Sequence, residues 1–424
     1  MRAAIRYSQL KHFGKRLIAA ASIAGVSLLI LSCGASNTID FVYVTSNLEN
    51  PGQINAYELN SQSGALYQIA DSPYPSGGRN PVYLVTAPSG KFLYVANHDD
   101  NTIVQYAIGT DGKLYPLHTV NTPGTEPVSL AISAAGTQLF VLDYYGPAAP
   151  GQPSYTDLNP GPGALIVYPI DATSGDLGTP LTAGNANYFP VQCFPTGVAV
   201  TPNGNFAYVT NTNAVVVTTS PPVTGTVPTL PASCPASGTV SAFSVTSSAV
   251  SEVAGSPFST GTGSQPTGMI ADPGNGVVYV TDAQLNQLYT FSIQSTGAIS
   301  LASATGTGTM PMGGTIVSPA SGSKFLYVTN FKDGSISIYS LSSGVPALIT
   351  VSNSGSSGPL CVLADPNTQR YLYTADYIGG TIGGAELDPS TGTLITNQGS
   401  PFRTSGQPTC LAAVTHPGGN NHGL

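Results

Sequence analysis

Residues 324–330 read Lys-Phe-Leu-Tyr-Val-Thr-Asn, and they are followed by Phe-Lys-Asp-Gly at 331–334 and Ser-Ile-Ser-Ile-Tyr-Ser-Leu at 335–341. This pattern predicts a β-strand, a turn with Asp-Gly at its tip, and a second strand that alternates apolar and polar residues. The first strand recurs along the chain around seven aromatic anchors: Tyr43, Tyr94, Phe140, Tyr208, Tyr279, Tyr327 and Tyr373. Successive anchors lie between 46 and 71 residues apart. A repeat of this length, built from short strands, is typical of a β-propeller blade.

A proline begins an apolar run upstream of each anchor except the first. In four repeats the proline precedes the anchor by 13 residues, and in two by 16 and 14; these prolines are Pro81, Pro127, Pro195, Pro266, Pro311 and Pro359. The runs are apolar on both faces, so we expect each to form the buried innermost strand of a blade. Proline fits the first position of such a strand, where no ladder hydrogen bond is lost.

The two ends of the repeat array are complementary. The repeat at Tyr43 has no inner strand before it, whereas an unpaired inner strand, Gln-Pro-Thr-Cys-Leu-Ala-Ala-Val, follows the last repeat at residues 407–414. We therefore predict an all-β, seven-bladed β-propeller over residues 41–416, with a C-terminal tail at 417–424. The C-terminal strand should pair into the N-terminal blade, because closing the ring removes the exposed sheet edges.

The N-terminal segment has the features of an export signal. Residues 17–31 are apolar, Ile-Leu-Ser-Cys-Gly at 30–34 resembles a bacterial lipobox, and the preceding basic residues are Arg2, Arg6, Lys11, Lys15 and Arg16. We predict a lipoprotein signal peptide over residues 1–33, lipidation of Cys33, and a short tether at 34–40. The protein would then be exported and lipid-anchored in the bacterial cell envelope, at the outer membrane or in the periplasm of a Gram-negative host. The alternative is an ordinary signal peptide with an incidental cysteine.

Charge and composition exclude several classes of protein. Five of the 12 basic residues lie in the signal, which leaves 7 basic against 20 acidic residues, a net charge of −13. This balance argues against nucleic-acid binding, which depends on clustered Lys and Arg. Hydrophobic residues make up 41% of the chain, so it is not disordered, although only 8% is charged. We expect a monomer that contacts the membrane through its lipid anchor alone.

The repeat carries a family resemblance. Tyr-Val-Thr-Asn at 208–211 and 327–330, and Tyr-Val-Ala-Asn at 94–97, resemble the YVTN-type propeller repeat. The chain from about residue 40 to 416 is similar to the seven-bladed lactonase-like family that includes 6-phosphogluconolactonase-type proteins. The absence of tryptophan excludes WD-type blades.

Four cysteines remain after Cys33, and an exported protein can oxidise them. Cys193 lies just before the fourth inner strand and Cys234 lies in the long loop of that blade, so we predict a disulfide that holds the loop. Cys361 and Cys410 each follow an inner-strand proline by two residues in adjacent blades. They form either a second disulfide or two buried thiols, because four cysteines allow three pairings.

Two long insertions and several polar residues collect on one face. The insertions, at 144–163 and 212–238, both join a second strand to a third strand, which suggests a binding surface. The candidate ligand-binding residues on that face are Arg79, His98, Glu126, Lys332 and Arg403. Arg79 and Arg403 precede the inner strands of adjacent blades and could bind one anionic group. His98 is the candidate catalytic base.

Less specific interpretations of these residues stay open. Each of the five candidates could be an ordinary solvated surface residue, and residues 98–100, His-Asp-Asp, could bind a cation. A ring of Ser, Asn and Asp ends the second strands and would either surround the upper face or cap the following turns; its members are Ser46, Asn97, Asp143, Asn211, Asp282, Asn330 and Asp376. We assign no metal site and no cofactor.

The family resemblance implies catalytic motifs that this chain lacks. Catalytic members carry Arg-His after the inner-strand proline and Asn-Glu at the end of the second strand. Here the prolines are followed by Val82, Val128, Thr196, Thr267, Met312, Leu360 and Thr409. We therefore predict a propeller that binds a small polar ligand or an envelope protein through its loop-rich face. The alternatives are a lactone hydrolase acting outside the cytoplasm, which a converging Arg-His-Glu cluster would favour, and a structural envelope protein.

Overall fold

A computed structural model describes residues 37–418, except 48–49, 158, 213–233, 275, 320–321, 343, 354 and 356. The described strands form seven antiparallel sheets, four with four strands and three with five. No helix in these ranges is long and apolar enough to cross a membrane. The proposed signal peptide and Cys33 lie outside the described residues.

The first three blades contain strands β1–β12. Blade 1 holds β1 (Thr38–Ser46), β2 (Gln53–Asn60), β3 (Leu66–Gln68) and β4 (Tyr74–Pro75). Blade 2 holds β5 (Pro81–Thr86), β6 (Phe92–Asn97), a 3-10 helix (His98–Asp100), β7 (Thr102–Ile108) and β8 (Leu114–Asn121). Blade 3 holds β9 (Thr125–Ile132), β10 (Gln138–Tyr145), β11 (Pro162–Pro169) and β12 (Phe189–Cys193).

The other four blades contain strands β13–β30, and β31 returns to the first blade. Blade 4 holds β13 (Pro195–Val200), β14 (Phe206–Asn211), β15 (Thr239–Val245), β16 (Val250–Glu252) and β17 (Phe258–Ser259). Blade 5 holds β18 (Pro266–Ala271), β19 (Val277–Asp282), β20 (Gln287–Ile293) and β21 (Ile299–Gly306). Blade 6 holds β22 (Pro311–Val317), β23 (Phe325–Asn330), β24 (Ser335–Ser340) and β25 (Ala347–Asn353). Blade 7 holds β26 (Pro359–Ala364), β27 (Tyr371–Asp376), β28 (Thr381–Leu387), β29 (Leu394–Thr396) and β30 (Phe402–Arg403), and the last strand is β31 (Pro408–Thr415).

The ring closes as the sequence predicts. β31 pairs antiparallel with β1, with Phe41 opposite Val414 and Tyr43 opposite Ala412. The inner strands β31, β5, β9, β13, β18, β22 and β26 contact one another in a complete cycle. β1 begins at Thr38, within the segment 34–40 that the sequence predicts as a tether. The cause is Ile39, which is buried in the core between blades 1 and 7.

The main apolar core consists of seven clusters, and each lies between two adjacent blades. Alternation along the second strands produces this arrangement. In β1, Tyr43 packs toward blade 2 whereas Val42 and Val44 pack toward blade 7. A second strand therefore has no solvent face, which explains why its residues are apolar at successive positions rather than at every second one.

Six of the seven anchors connect neighbouring blades through their hydroxyl groups. Each tyrosine donates a hydrogen bond of 2.6–3.3 Å to a glycine carbonyl in the turn between the third and fourth strands of the next blade. The acceptors are Gly112, Gly175, Gly297, Gly344, Gly392 and Gly64, all with φ between +63° and +85°. An L side chain rarely adopts this conformation, and at Gly297 a Cβ would also overlap the ring of Phe206.

The junction between blades 3 and 4 is built differently. Its anchor is Phe140, which has no hydroxyl, and the facing turn contains no glycine. Instead the amide of Gln138 donates to the Thr246 carbonyl at 2.8 Å. The disulfide between Cys193 and Cys234 spans the same junction, with the two Cα atoms 5.5 Å apart. Cys193 ends the outer strand of blade 3 rather than lying within blade 4, because its segment pairs with β11.

A second pair of cysteines lies at the closure. Cys361 on β26 and Cys410 on β31 are in disulfide contact, with their Cα atoms 5.1 Å apart. The contact joins the inner strands of blades 7 and 1. Both cysteine pairs therefore connect different blades.

The residues that end the second strands do not face the solvent. All seven side chains of the polar ring are fully buried. Asp143 accepts a hydrogen bond from the Gly124 amide at 2.8 Å, and Asn330 donates to the hydroxyls of Ser335 and Ser337 at 2.9 Å each. These contacts stabilise local loops and strands. The polar residues that end the second strands therefore have a structural role and do not form an accessible binding face.

Candidate functional site

The 3-10 helix after β6 holds the candidate base, and Arg79 fixes this short helix from outside. The Arg79 side chain contacts Asp100 at 2.6 Å, and its Nη2 also donates to the Asp99 carbonyl at 2.9 Å. The backbone N–H of Arg79 donates to the other Asp100 oxygen at 2.7 Å. Hydrogen bonds from Arg79 lower the pKa of Asp100 below its ordinary value. Arg79 therefore holds the loop in place through Nε and Nη2, while about half of its side chain (53%) stays exposed.

Glu126 lies at the upper end of β9 in a left-handed backbone conformation, with φ +59°. The side-chain oxygen of Asn101 accepts a hydrogen bond from the Glu126 amide at 2.7 Å and holds the residue there. Left-handed residues also precede the inner-strand prolines at Asn80, Phe194 and Met310, so the turn belongs to the fold. Among the residues that precede the inner-strand prolines, only the one in blade 3 carries a carboxyl group.

His98 connects the two parts of the site. Its Nδ1 lies 2.7 Å from Oδ1 of Asp99, and because a carboxylate can only accept a hydrogen bond, the shared proton belongs to Nδ1. Neutral His98 therefore presents Nε2 as an acceptor. This atom lies 3.8 Å from Oε2 of Glu126, which is beyond hydrogen-bond range. Both groups thus keep the capacity to bind a third partner, and both side chains remain partly exposed, 26% for His98 and 33% for Glu126.

The two carboxyl groups beside His98 differ in acidity. Burial acts to raise the pKa of Asp99, but hydrogen bonds from Asn80 and His98 outweigh it, and the pKa lies below the ordinary value. Burial raises the pKa of Glu126, and although His98 opposes this effect, Asp157 and Asp99 reinforce it. Asp99 is therefore the ionised partner that orients the imidazole. Glu126 is the carboxyl group that holds its proton more tightly.

Sequence reasoning missed the residues that the blade 3 insertion brings to this site. Tyr144, near the end of β10, is half-buried and interacts electrostatically with Glu126 and Asp157. The hydroxyl of Tyr145 donates to Asp157 at 2.9 Å. The ring of Tyr144 packs on those of Tyr145 and Phe194, with centroids 4.9 and 5.4 Å apart. The length of the insertion was the only indication in the sequence, and length alone does not show which side chains reach the site.

The other two candidates lie on different blades. Lys332 follows β23 in blade 6, where its backbone N–H donates to the Thr309 carbonyl. Arg403 lies on β30, opposite Thr381 of blade 7, and its carbonyl accepts a hydrogen bond from the Tyr57 hydroxyl at 2.6 Å. In the described part of the chain, no hydrogen bond or ion pair connects either residue to Arg79, His98 or Glu126. The structure thus brings together Arg79, His98 and Glu126 and leaves Arg403 and Lys332 apart.

Two surface depressions lie near the His98 cluster but are not lined by it. Their volumes are about 450 and 300 Å³, and they lie between the outer strands of blades 2 and 3 and share Val120 and Leu177. They offer one titratable pair, His118 with Asp176, at 3.2 Å. Within the described ranges, no three His, Cys, Asp or Glu side chains are arranged to hold a metal ion.

Comparison with known proteins agrees with the architecture. A family model described as a seven-bladed β-propeller lactonase matches residues 36–181 and 280–409, together more than half of the chain. The chain belongs to this lactonase family. Among curated relatives, a 6-phosphogluconolactonase of Xenorhabdus nematophila is 36% identical over 141 residues, which cover 33% of this chain and 35% of that protein. The chain thus matches about a third of the length of that relative.

Solved structures share the fold of this lactonase-family chain at low sequence identity. The periplasmic gluconolactonase of Pseudomonas aeruginosa superposes with a TM-score of 0.69 and 18% identity, over 90% of this chain and 100% of the other. A putative 6-phosphogluconolactonase from Bacteroides uniformis gives a TM-score of 0.67 and 19% identity, over 89% and 100% of the two chains. At these identities the likeness establishes the fold.

Proposed function

We propose that this protein is a hydrolase of sugar lactones, with its active site at His98 and Glu126. The observation that carries the proposal is that His98 lies between the carboxyl groups of Asp99 and Glu126, one at each ring nitrogen. Asp99 holds the imidazole with its Nδ1 protonated, and Nε2 faces a second carboxyl group across a 3.8 Å gap. Membership of the lactonase family and the names of its relatives support this reaction class over a purely binding role.

The arrangement suits ester hydrolysis. A water molecule bound between Nε2 and Glu126 attacks the lactone carbonyl carbon while its proton passes to His98 Nε2. The bond between that carbon and the ring oxygen then breaks, and the leaving alkoxide takes a proton from Glu126 or from the imidazolium. One water is consumed, and the product is an open-chain hydroxy acid. Arg79 acts at a distance, because its contacts with residues 99 and 100 position His98.

Replacing His98 with alanine tests the proposal. Turnover of a simple sugar lactone should fall on the order of 10²- to 10⁴-fold, which is the usual contribution of a positioned base. His118→Ala is the matched control, because His118 is also paired with an aspartate but lies on β8, away from Glu126. Hydrolysis is followed by the acid released at constant pH. Unchanged kcat and KM in His98→Ala would refute this site, and no turnover of any lactone by the unaltered protein would refute the activity.

We also propose that the protein works outside the cytoplasm, attached through lipidated Cys33. The basic, apolar and cysteine segments at residues 1–34 motivate this proposal, and the two cysteine pairs in disulfide contact suit an oxidising compartment. Cys33→Ala should release the protein from membranes in a fractionation experiment. Recovery of the unaltered protein in the soluble fraction, with an intact peptide spanning residue 33, would contradict it.

A further inference from the structure

Blades 2, 5, 6 and 7 join their second and third strands by turns of the same length. Each turn has four residues, at 98–101, 283–286, 331–334 and 377–380. The last residue of each turn has a left-handed backbone, with φ between +54° and +66°. Two blades have asparagine at this position and two have glycine; the residues are Asn101, Asn286, Gly334 and Gly380. Because glycine adopts this conformation without strain, the turn itself does not require the asparagine side chain.

The two asparagines use their side chains to contact the next blade. Oδ1 of Asn101 accepts a hydrogen bond from the Glu126 amide at 2.7 Å, and Oδ1 of Asn286 accepts one from the Met310 amide at 2.8 Å. Glu126 and Met310 occupy equivalent positions, directly before an inner-strand proline, and φ is +59° in both. The same contact therefore joins blade 2 to blade 3 and blade 5 to blade 6.

Asn101 contacts both parts of the candidate site. It directly follows the 3-10 helix that carries His98, and its N–H donates to the His98 carbonyl at 3.4 Å. Its carbonyl accepts a hydrogen bond from the Thr122 N–H at 2.9 Å, on the segment that leads to Glu126. Its side chain then binds the Glu126 amide itself. The backbone of Asn101 thus belongs to the His98 turn, whereas its side chain holds the residue that faces His98 from blade 3.

Resting on the proposed hydrolase function, we infer that Asn101 is a positioning residue of the active site. Its side chain fixes the backbone of Glu126 and so sets the 3.8 Å separation between the Glu126 carboxyl group and His98 Nε2. A water molecule between these two groups is activated only while both stay within reach of it. Asn101 is not itself a catalytic residue, because it acts through Glu126.

Asn286 provides a matched control within the same chain. It makes the same contact at the same kind of junction, but the residue that it holds is Met310. Ala283 occupies the position in blade 5 that His98 occupies in blade 2. Neither of these side chains can transfer a proton. Removal of the Asn286 side chain therefore shows what the contact contributes to stability alone.

The test measures kcat and KM for a simple sugar lactone, glucono-1,5-lactone, at a temperature well below the Tm. Asn101→Gly removes the side chain and keeps the backbone conformation, which Gly334 and Gly380 show to be compatible with the fold. We expect kcat to fall on the order of 10- to 100-fold with little change in KM, since a misplacement of about 1 Å in a catalytic arrangement has an effect of this size. Asn286→Gly should lower the Tm to a similar extent and leave kcat unchanged.

Two further variants separate positioning from stability. Asn101→Asp keeps an oxygen that accepts from the Glu126 amide, and aspartate tolerates the left-handed conformation, so this variant should retain most of kcat. The double variant Asn101→Gly with Glu126→Gln should be no slower than Glu126→Gln alone. A residue that acts only through the Glu126 carboxyl group has no further effect once that group is replaced.

The opposing outcomes distinguish this inference from the proposed function. An unchanged kcat in Asn101→Gly, an equal loss of kcat in Asn286→Gly, or a further loss in the double variant would overturn the inference and leave the hydrolase function standing. A loss in Asn101→Asp as large as that in Asn101→Gly would do the same. Absence of turnover by the unaltered protein would overturn the hydrolase function, and with it this inference.

Discussion

Asp40 makes the stability of the closed ring depend on pH. Its side chain is fully buried in β1, where the closing strand pairs, and Asp365 of blade 7, Asn367 and Thr415 surround it. Neither carboxyl oxygen has a partner at strict hydrogen-bond geometry. Burial and the nearby Asp365 carboxylate raise the pKa of Asp40 from 3.8 to about 8. In the folded protein Asp40 is therefore protonated at neutral pH, whereas in the unfolded chain it is ionised.

This difference fixes the direction of the pH dependence. Between pH 3.8 and about 8 the folded state holds a proton that unfolding releases, so the free energy of unfolding falls as the pH rises through this window. The slope from this one group is about 1.4 kcal/mol per pH unit. The stabilising contribution of Asp40 is present in full below pH 3.8 and is lost by about pH 8. From pH 5 to pH 7 the loss is roughly 3 kcal/mol.

Asp40→Asn should remove this slope, because an amide of similar shape does not titrate. Relative to the unaltered protein, the variant should gain about 3 kcal/mol of stability between pH 5 and pH 7. Urea unfolding at pH 5, 6 and 7, followed by tyrosine fluorescence because the chain has no tryptophan, measures the effect. Asp388→Asn, at an exposed turn where hydrogen bonds lower the pKa, should not change the slope in this range. Equal slopes in Asp40→Asn and the unaltered protein would refute the reasoning.

Three further predictions concern the ring. Tyr208→Phe removes the hydroxyl that donates to Gly297 and should lower the free energy of unfolding by about 1–2 kcal/mol in urea titrations; the exposed Tyr67→Phe is the control, and equal effects would contradict the role of the hydrogen bond. Replacing Cys193 and Cys234 with serine should cost roughly 3–4 kcal/mol for a loop of this size, and recovery of both cysteines alkylated without reduction would disprove the bridge. Deletion of residues 407–424 removes β31 and should cause cooperative unfolding or aggregation, so a monomeric truncation with an unchanged Tm would contradict ring closure.

Local patterns were sufficient to predict most of the fold. Pro81, Pro195 and Pro266 begin inner strands as expected, because an apolar run led by proline has few alternatives. Pro127 is the third residue of β9, since Thr125 also pairs with Tyr145. The outer strand of blade 3 was not predicted, because it begins about 20 residues beyond the third strand and its sequence has no distinctive alternation.

The candidate site was predictable only in part. His98 and Glu126 could be chosen from the sequence, because charged residues are scarce after the signal and both follow or precede predicted strands. Their pairing could not be predicted, since it depends on how blades 2 and 3 pack. The binding of Arg79 by Asp100 depends on the conformation of two loops of blade 2, and the burial of Asp40 beside Asp365 depends on how blades 1 and 7 pack, so neither could be predicted. The proposed convergence of Arg79 and Arg403 assumed equivalent loops, whereas Arg403 lies on a short strand that pairs with β28.

The two cysteine pairs cross-link the propeller at two nearly opposite positions in its ring of blades. One pair spans blades 3 and 4 and the other spans blades 7 and 1, so three blades lie on one side and four on the other. When both pairs are oxidised, the ring cannot open at its closure. Unfolding then has to begin within one of the two groups of blades. These cross-links should slow complete unfolding, because a group of blades that opens stays covalently attached to the rest of the ring.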